Sequence, residues 1–341
     1  MTDLIERRAA GLYCPAGDFH IDPWRPVSRA IITHGHADHA RSGHSHYLAS
    51  EACVPLLRHR LGADISIQGL AFGESLTIGK AHVSLHPAGH VLGAAQVRVA
   101  VDGEVWVASG DYRVQSDATC TPFEPVRCDT FITESTFALP IFRWEPQSTI
   151  MTQINAWWQD NARQGLASVL YCYSLGKAQR VLAGVDASIG PVFCHRAVQN
   201  INEVYRECGI ALPVTSIWEA GNASGLAGSL LIAPPSAVGP AGIKGVGPHA
   251  DAFVSGWMQV RGLRRRRSID RGFVLSDHAD WPGLLQAIAA TGAQRVIVTH
   301  GQEEVLVRWL REQGLAADTF DTEYGEAVDG HQQAAAEGKT Q

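Results

Sequence analysis

Directly after Arg29-Ala30-Ile31-Ile32-Thr33, an apolar run short enough to be a buried strand, come His34-Gly35-His36-Ala37-Asp38-His39. Three imidazoles and a carboxylate packed into six residues at a strand end are not explained by core packing, because such groups are costly to bury unless something binds or neutralises them. A histidine pair at i and i+2, followed by Asp and His, reads as a loop that holds two metal ions. Neutral imidazole and carboxylate are what a borderline ion such as zinc selects.

The 341 residues, 45% of them hydrophobic, suffice for one large domain or two smaller ones. A net charge of −6 carries no global basic signal, so any contact with nucleic acid has to come from a local positive patch. Seven cysteines (Cys14, Cys53, Cys120, Cys128, Cys172, Cys194, Cys208) are odd in number, scattered and without a CxxC pair. That argues against a disulfide framework and against a structural zinc knuckle, and for reduced thiols. The opening Met1-Thr2-Asp3-Leu4-Ile5-Glu6-Arg7-Arg8 has charges where a signal peptide needs an apolar stretch, and no window reaches the length of a membrane span. A cytoplasmic location is expected.

From about residue 18 to 135 the pattern is one of short strands: 30–33, 82–87, 95–101, 104–109 and 130–133, with Asp102-Gly103 as a hairpin turn. At Ser148 the period changes. Ile150, Ile154, Trp157 and Trp158 share one face of a helix over about 147–164, with Ser148 or Thr149 able to cap it and Gly165 able to end it. Strand and helix then alternate, at 168–173, 176–185, 192–194, 198–208 and 229–233, which predicts a parallel sheet. After Arg271 come a strand (272–275), a helix (282–290), a strand (295–299), a helix (303–313) and a last strand near 319–323. Residues from Gly325 on lack apolar periodicity and read as a frayed tail.

Further candidate ligands each follow an apolar β run: His90, Asp111, Glu134, His278 and His300. Any one of them alone is most simply a satisfied core or surface group. Together they would each need a neutralising partner, and a shared polar site meets that need at once.

With these motifs in this order, the chain resembles the metallo-β-lactamase superfamily and, within it, the β-CASP nucleases, with a second domain inserted between Glu134 and His278. Gly17-Asp18-Phe19-His20-Ile21-Asp22-Pro23 and Leu175-Gly176-Lys177-Ala178-Gln179 are most similar to the bacterial ligase-associated DNA exonuclease group. The resemblance implies an α/β chain, a four-layer αββα fold (1–145 and 272–325) carrying an inserted α/β β-CASP domain (146–271), with a flexible tail at 326–341. It implies that His34, His36 and His90 hold one Zn2+ and Asp38, His39 and His300 another (Mn2+ being possible), with Asp111 bridging both and a metal-activated hydroxide attacking the phosphodiester.

By the same resemblance Asp38, Glu134 and His278 take part in the chemistry. His278 would serve as general acid or stabilising cation, and Glu134 would bond to it and raise its pKa. Asp22 would orient a ligand histidine or its loop, its alternative being a turn residue before Pro23. Asp280 reads better as a helix N-cap ahead of Pro282 than as a further orienting acceptor.

For substrate, the signal is the run Arg261, Arg264, Arg265, Arg266, Arg267 and Arg271, whose guanidinium groups can neutralise phosphates without reading sequence. Lys177 and Arg180 could add backbone contacts. An inserted domain of this size suits a polymer strand better than a lactam or thioester. The expectation is a two-zinc DNA exonuclease in repair, acting on single-stranded or end-frayed DNA in association with a DNA ligase and helicase. An RNA 3′-end-processing nuclease is the alternative, since His300 is by the resemblance a feature of RNA-processing members.

Overall fold

Short strands occupy the first third of the chain in the computed structural model, which describes residues 3–218, 226–239, 243–260 and 270–320. Glu6–Arg8 (β1), Gly11–Cys14 (β2), Phe19–Ile21 (β3), Arg29–Ile31 (β4), His46–Ser50 (β5) and Ile67–Leu70 (β6) pair in that order into one sheet. The strand expected over 30–33 stops at Ile31, because Thr33 turns its N–H to the Asp22 carboxylate instead of a neighbouring strand. On one face of this sheet Leu57, from helix Val54–Leu61 (α1), packs with Ala30, Tyr47 and Ala49.

Ser75–Ile78 (β7), Ala81–Pro87 (β8), Ala95–Val101 (β9), Glu104–Ala108 (β10) and Thr130–Ser135 (β11) build most of a second sheet. Asp102 and Gly103 turn β9 into β10 with φ of 50° and 89°, the left-handed backbone that an Asp-Gly pair tolerates. Alternation puts one face of each sheet inward. Leu12, Phe19, Ile21 and Leu48 of the first meet Val83, Leu85, Val97, Val99, Trp106 and Ile132 of the second in one apolar core.

The chain divides into two compact units, Met1–Arg143 with His278–Gln341, and Trp144–Asp277. The second unit contains Gln147–Arg163 (α2), Ala167–Tyr171 (β12), Lys177–Leu182 (α3), Val192–His195 (β13), Arg196–Glu207 (α4), Ser216–Trp218 (β14), Leu230–Ala233 (β15), His249–Val254 (β16) and Arg271–Phe273 (β17). Its strands run β14-β13-β15-β12-β16-β17, and every pair is parallel. Both faces are buried, as parallel sheets require. Leu170 and Cys172 join Ile154 and Trp158 of α2 on one face, while Val169 and Tyr171 join Leu231 and Phe253 on the other. Neither Ser148 nor Thr149 caps α2; Pro146 occupies the cap position without a side-chain bond, and Gly165, at φ 70°, follows the helix end. β14 and β16 lie where no strand was expected.

The first unit is completed by Trp281–Thr291 (α5), Arg295–Gly301 (β18), Glu303–Glu312 (α6) and Ala316–Thr319 (β19), giving a second sheet ordered β19-β18-β11-β10-β9-β8-β7. The final strand sits a few residues earlier than the expected 319–323, since its register is set by pairing Ala316–Thr319 with Arg295–Val298. The expected tail, 326–341, lies outside the described residues. Within this sheet β8 and β10 are both antiparallel to β9, and β10, β11 and β18 are parallel. β8, β10, β11 and β18 therefore point the same way and end on one rim, and β19, parallel to β18, points with them. The described residues form a mixed α/β chain of three sheets. No helix among the described residues is long and apolar enough to cross a membrane, and the seven cysteines are free thiols.

Candidate metal centre

That rim collects the expected ligands. The loop after β4 carries His34 to His39, the loop after β8 carries His90, Asp111 follows β10 by three residues, Glu134 lies near the end of β11 and His300 near the end of β18. Ala95 at the start of β9 donates its N–H to Thr33 O at 2.8 Å, which ties the histidine loop of one sheet to the rim of the other.

A hydrogen-bond chain then decides which ring nitrogens are presented. Asp22, at φ 43°, accepts from Thr33 N at 2.7 Å through Oδ1, and from Thr33 Oγ1 at 2.5 Å and His39 Nδ1 at 2.7 Å through Oδ2. Because Thr33 spends its hydroxyl proton on Asp22, its oxygen is left to accept from His34 Nδ1 at 3.0 Å. In the neutral form that binds a metal, both rings are thereby held with the proton on Nδ1 and Nε2 directed inward.

Those lone pairs converge. His34 Nε2, His39 Nε2 and His90 Nε2 stand 3.5, 3.6 and 3.7 Å from Asp111 Oδ2. His39 Nε2 is also 3.9 Å from Asp38 Oδ2, and His90 Nε2 is 3.0 Å from His36 Nδ1. Ligand atoms of His34, His36, His90 and Asp111 all lie within 4.8 Å of one another, and the His300 ring is 6.2 Å from that of His39.

A cation fits this donor set. His34 Nε2, Asp38 Oδ1 and both carboxylate oxygens of Asp111 are buried without a hydrogen-bond partner among the described residues, an expensive arrangement unless an ion satisfies them. Asp22, Asp111 and Glu134 line a cavity of about 20 Å³ whose lining holds no lysine or arginine. Burial opposes charge on His39, yet the carboxylates of Asp111, Asp38 and Asp22 outweigh it and push its pKa to about 10. Burial likewise opposes charge on Asp38, but the imidazoles of His39, His300 and His36 bring it down to about 2. Burial lifts Asp111 to about 7, and burial together with His39, His90 and His36 holds His34 well below the usual imidazole range. A pocket this rich in anions draws positive charge, and neutral imidazoles with carboxylates are the donors that a divalent transition ion prefers.

Beside this cluster Glu134 accepts from Tyr112 N at 2.8 Å, Thr136 Oγ1 at 2.5 Å and His278 Nδ1 at 2.9 Å. Burial would raise its pKa, but the His278 charge and these donors carry it below the usual value. The ring of His278 is 4.7 Å from that of His90. Glu134 owes its aim to a bulge: Thr133 pairs with Val298 but Ser135 with Gly301, so β18 carries an extra residue at Thr299-His300, and His300 takes φ 54°. Ser135 Oγ donates to His300 O at 2.8 Å and holds the bulge. Asp280 is an N-cap, accepting from Gly283 N at 3.0 Å.

Thr33, Thr136 and the bulge were not singled out in the sequence. The hydroxyls lie one residue before His34 and two after Glu134, which was the available signal; an extra residue in a strand leaves none. Lys177, expected to add a backbone contact, is buried with its Nζ 2.8 Å from Asp277 Oδ1. Arg180 is buried too, donating to Ser276 O at 2.9 Å. Arg264, Arg265, Arg266 and Arg267, with Arg261, lie outside the described residues.

Three comparisons place the chain among known proteins. No family model matches it. It is 32% identical over 311 residues to a protein of Opitutus terrae named "Probable DNA ligase", a match covering 90% of this chain and 30% of that protein. It is 30% identical over 125 residues to "Endoribonuclease ysh1" of Aspergillus fumigatus (35% of this chain, 14% of that one), and 31% identical over 121 residues to that of Emericella nidulans (34% and 13%). The chain thus spans under a third of the length of these curated relatives. A crystal structure of a protein of unknown function from Enterococcus faecalis V583 shares the fold, with TM-score 0.58 and 13% identity over 87% of this chain and 80% of that one.

Proposed function

We infer that this chain is a β-CASP-type member of the metallo-β-lactamase superfamily and acts as a metal-dependent nuclease on phosphodiester bonds. The observation that carries the reading is the convergence of three Nε2 atoms on a buried Asp111 carboxylate whose oxygens have no hydrogen-bond partner among the described residues. In this reading Met1–Arg143 with His278–Gln341 is the four-layer αββα domain, and Trp144–Asp277 is the inserted α/β domain. His34, His36 and His90 would hold one Zn2+, Asp38, His39 and His300 a second, with Asp111 shared; Mn2+ is the alternative ion. When bound, the two ions supply Lewis acidity, acidifying a water and drawing charge from the phosphate oxygens.

The protein's own groups do the rest. Asp22 and Thr33 keep His34 and His39 in the tautomer that leaves Nε2 open. Glu134 holds His278 by Nδ1, leaving Nε2 to give a proton to the leaving oxygen or, as imidazolium, to balance charge developing there. Arg264 to Arg267 supply local positive charge for a phosphate backbone.

DNA is the substrate of the first reading, in exonucleolytic repair in the cytoplasm beside a DNA ligase and helicase. A likeness to a ligase-named protein over most of this chain supports it. RNA is the second reading, supported by the endoribonuclease relatives. The test is to measure bound metal by mass spectrometry and to incubate zinc- or manganese-loaded wild type and His278→Ala with matched end-labelled DNA and RNA strands. Cleavage of one polymer, lost in His278→Ala, is expected. Hydrolysis of a small thioester with neither polymer cut overturns the reading.

A further inference from the structure

One element of the first unit touches both loops that carry His34, His36 and His90. β5 ends at Ser50, and a 3-10 turn, Glu51–Cys53, leads straight into α1. The hydroxyl of buried Ser50 has a single proton, which it gives to Gly93 O at 2.5 Å, in the loop that carries His90. Its oxygen accepts from Cys53 N at 3.2 Å and caps the turn. Gly93, at φ 70°, leaves no room for a Cβ, which would collide with the backbone of Cys53. The His90 loop is closed on itself by Ala88 N donating to Ala94 O at 2.9 Å and Ala94 N to Val91 O at 3.0 Å, so what holds Gly93 holds His90.

At the other end of α1 the half-buried Arg60 donates from its guanidinium to Gly35 O, the carbonyl between His34 and His36 in the chain. That loop is folded in turn by Ala40 N donating to His36 O at 2.8 Å. α1 is a firm base for these contacts, because Leu56 and Leu57 are fully buried and Leu57 packs with Ala30, Tyr47 and Ala49 of the first sheet. One element thus grips both loops. His36 Nδ1 and His90 Nε2, one from each loop, meet at 3.0 Å.

We propose that Arg60 and Ser50 are positioning residues for a metal site formed by His34, His36 and His90, with α1 and the turn before it fixing the separation of the two loops. The proposal rests on the metal-centre reading for its titration, and on geometry alone for its resonance test. Charge by itself predicts the reverse result. A guanidinium near a cation site repels the ion, so an Arg60 that did no more than carry charge would weaken binding, and its removal would tighten it.

The experiment uses the full metal-free chain as Arg60→Met, Arg60→Lys and Ser50→Ala, each melted thermally and titrated with Zn2+ against a chromophoric chelator. His90→Ala and His300→Ala are the references, each removing one of the two sites. Arg60→Met is expected to lose about 10-fold in affinity at the site that His90→Ala removes, the low end of what partners of metal-bound histidines are worth, and to keep the His300 site unchanged. Ser50→Ala should weaken the same site, and Arg60→Lys, which keeps a donor on a long stem, should recover part of the loss. Separately, in metal-free histidine-labelled protein the imidazole resonances of His36 and His90, identified by their loss in His36→Gln and His90→Gln, should move in Arg60→Met and Ser50→Ala respectively, while that of His300 holds its place.

Unchanged or tighter Zn2+ binding in folded Arg60→Met overturns the proposal, and so does equal loss at both sites, which would make Arg60 a general prop of the fold. If Arg60→Met does not fold, Arg60→Gln, which keeps a polar end at this half-buried position, takes its place under the same criteria. A wild type that binds no Zn2+ would sink the metal-centre reading and leave the resonance test standing, in which unmoved His36 and His90 signals overturn the proposal.

Discussion

Replacing Asp22 by asparagine tests whether the tautomer chain is what makes the centre bind metal. The carboxylate accepts three hydrogen bonds, from Thr33 N at 2.7 Å, Thr33 Oγ1 at 2.5 Å and His39 Nδ1 at 2.7 Å. An amide at this position keeps one accepting oxygen and brings a donor. If the oxygen stays on Thr33 N, the NH2 meets the two groups that now donate, so His39 must turn to its other tautomer and place a proton on the Nε2 that faces Asp111. Partners of metal-bound histidines are typically worth about 10–100-fold in affinity. That range is about 1.4–2.8 kcal/mol of binding free energy. Competition titration against a chromophoric chelator should show the loss on the site that contains His39, with a lowered Tm of the loaded protein. An Asp22→Asn variant that binds metal as tightly as wild type at both sites would refute the argument, because it would show that the His39 ring keeps its Nε2 lone pair without the carboxylate on Nδ1.

Glu134→Gln should lower turnover while leaving metal content intact, because Glu134 bonds His278 and the backbone of Tyr112, not the convergent Nε2 cluster; equal loss of metal by mass spectrometry counts against that role. His44 accepts from Val27 N through Nδ1, and burial holds its pKa near 4 against an ordinary 6.5. It stays neutral in the folded state, so its contribution to stability is full above pH 6.5 and is lost as pH falls toward 4. Urea midpoints followed across that window should slope less in His44→Asn, and an unchanged slope would remove His44 from the acid response. Gly301→Ala puts a Cβ 2.4 Å from Ser135 O at φ 116°, a backbone clash, and should cost about 3 kcal/mol or more by thermal unfolding. A variant as stable as wild type would mean that the bulge shifts freely.

The parts of this structure that could be read from the chain are those written in consecutive residues. His34 to His39 announces a candidate ligand loop because no core wants three imidazoles; Asp102-Gly103 demands its turn; Ile150, Ile154, Trp157 and Trp158 declare a helical face. Strands β1 to β3 were not legible, since three or four residues hold too little of the alternation to stand out. Short β14, at Ser216–Trp218, failed for the same reason. Lys177 and Asp277 are a hundred positions apart, and local sequence does not say which charges will be buried together. The extra residue at Thr299-His300 is equally silent, because a bulge changes register between strands and leaves composition untouched.

The rim on which β8, β10, β11 and β18 end draws its donors from positions 34 to 300. During synthesis the histidine and aspartate donors from His34 through Asp111 emerge long before His300, with the whole of Trp144–Asp277 still to be made. On the proposed two-metal reading, a growing or truncated chain would offer an incomplete cage, able to catch one ion but missing the His300 imidazole. On that reading complete loading would belong only to finished molecules, and the late arrival of β18 between β11 and β19 is a long-range closure of the kind that slows folding.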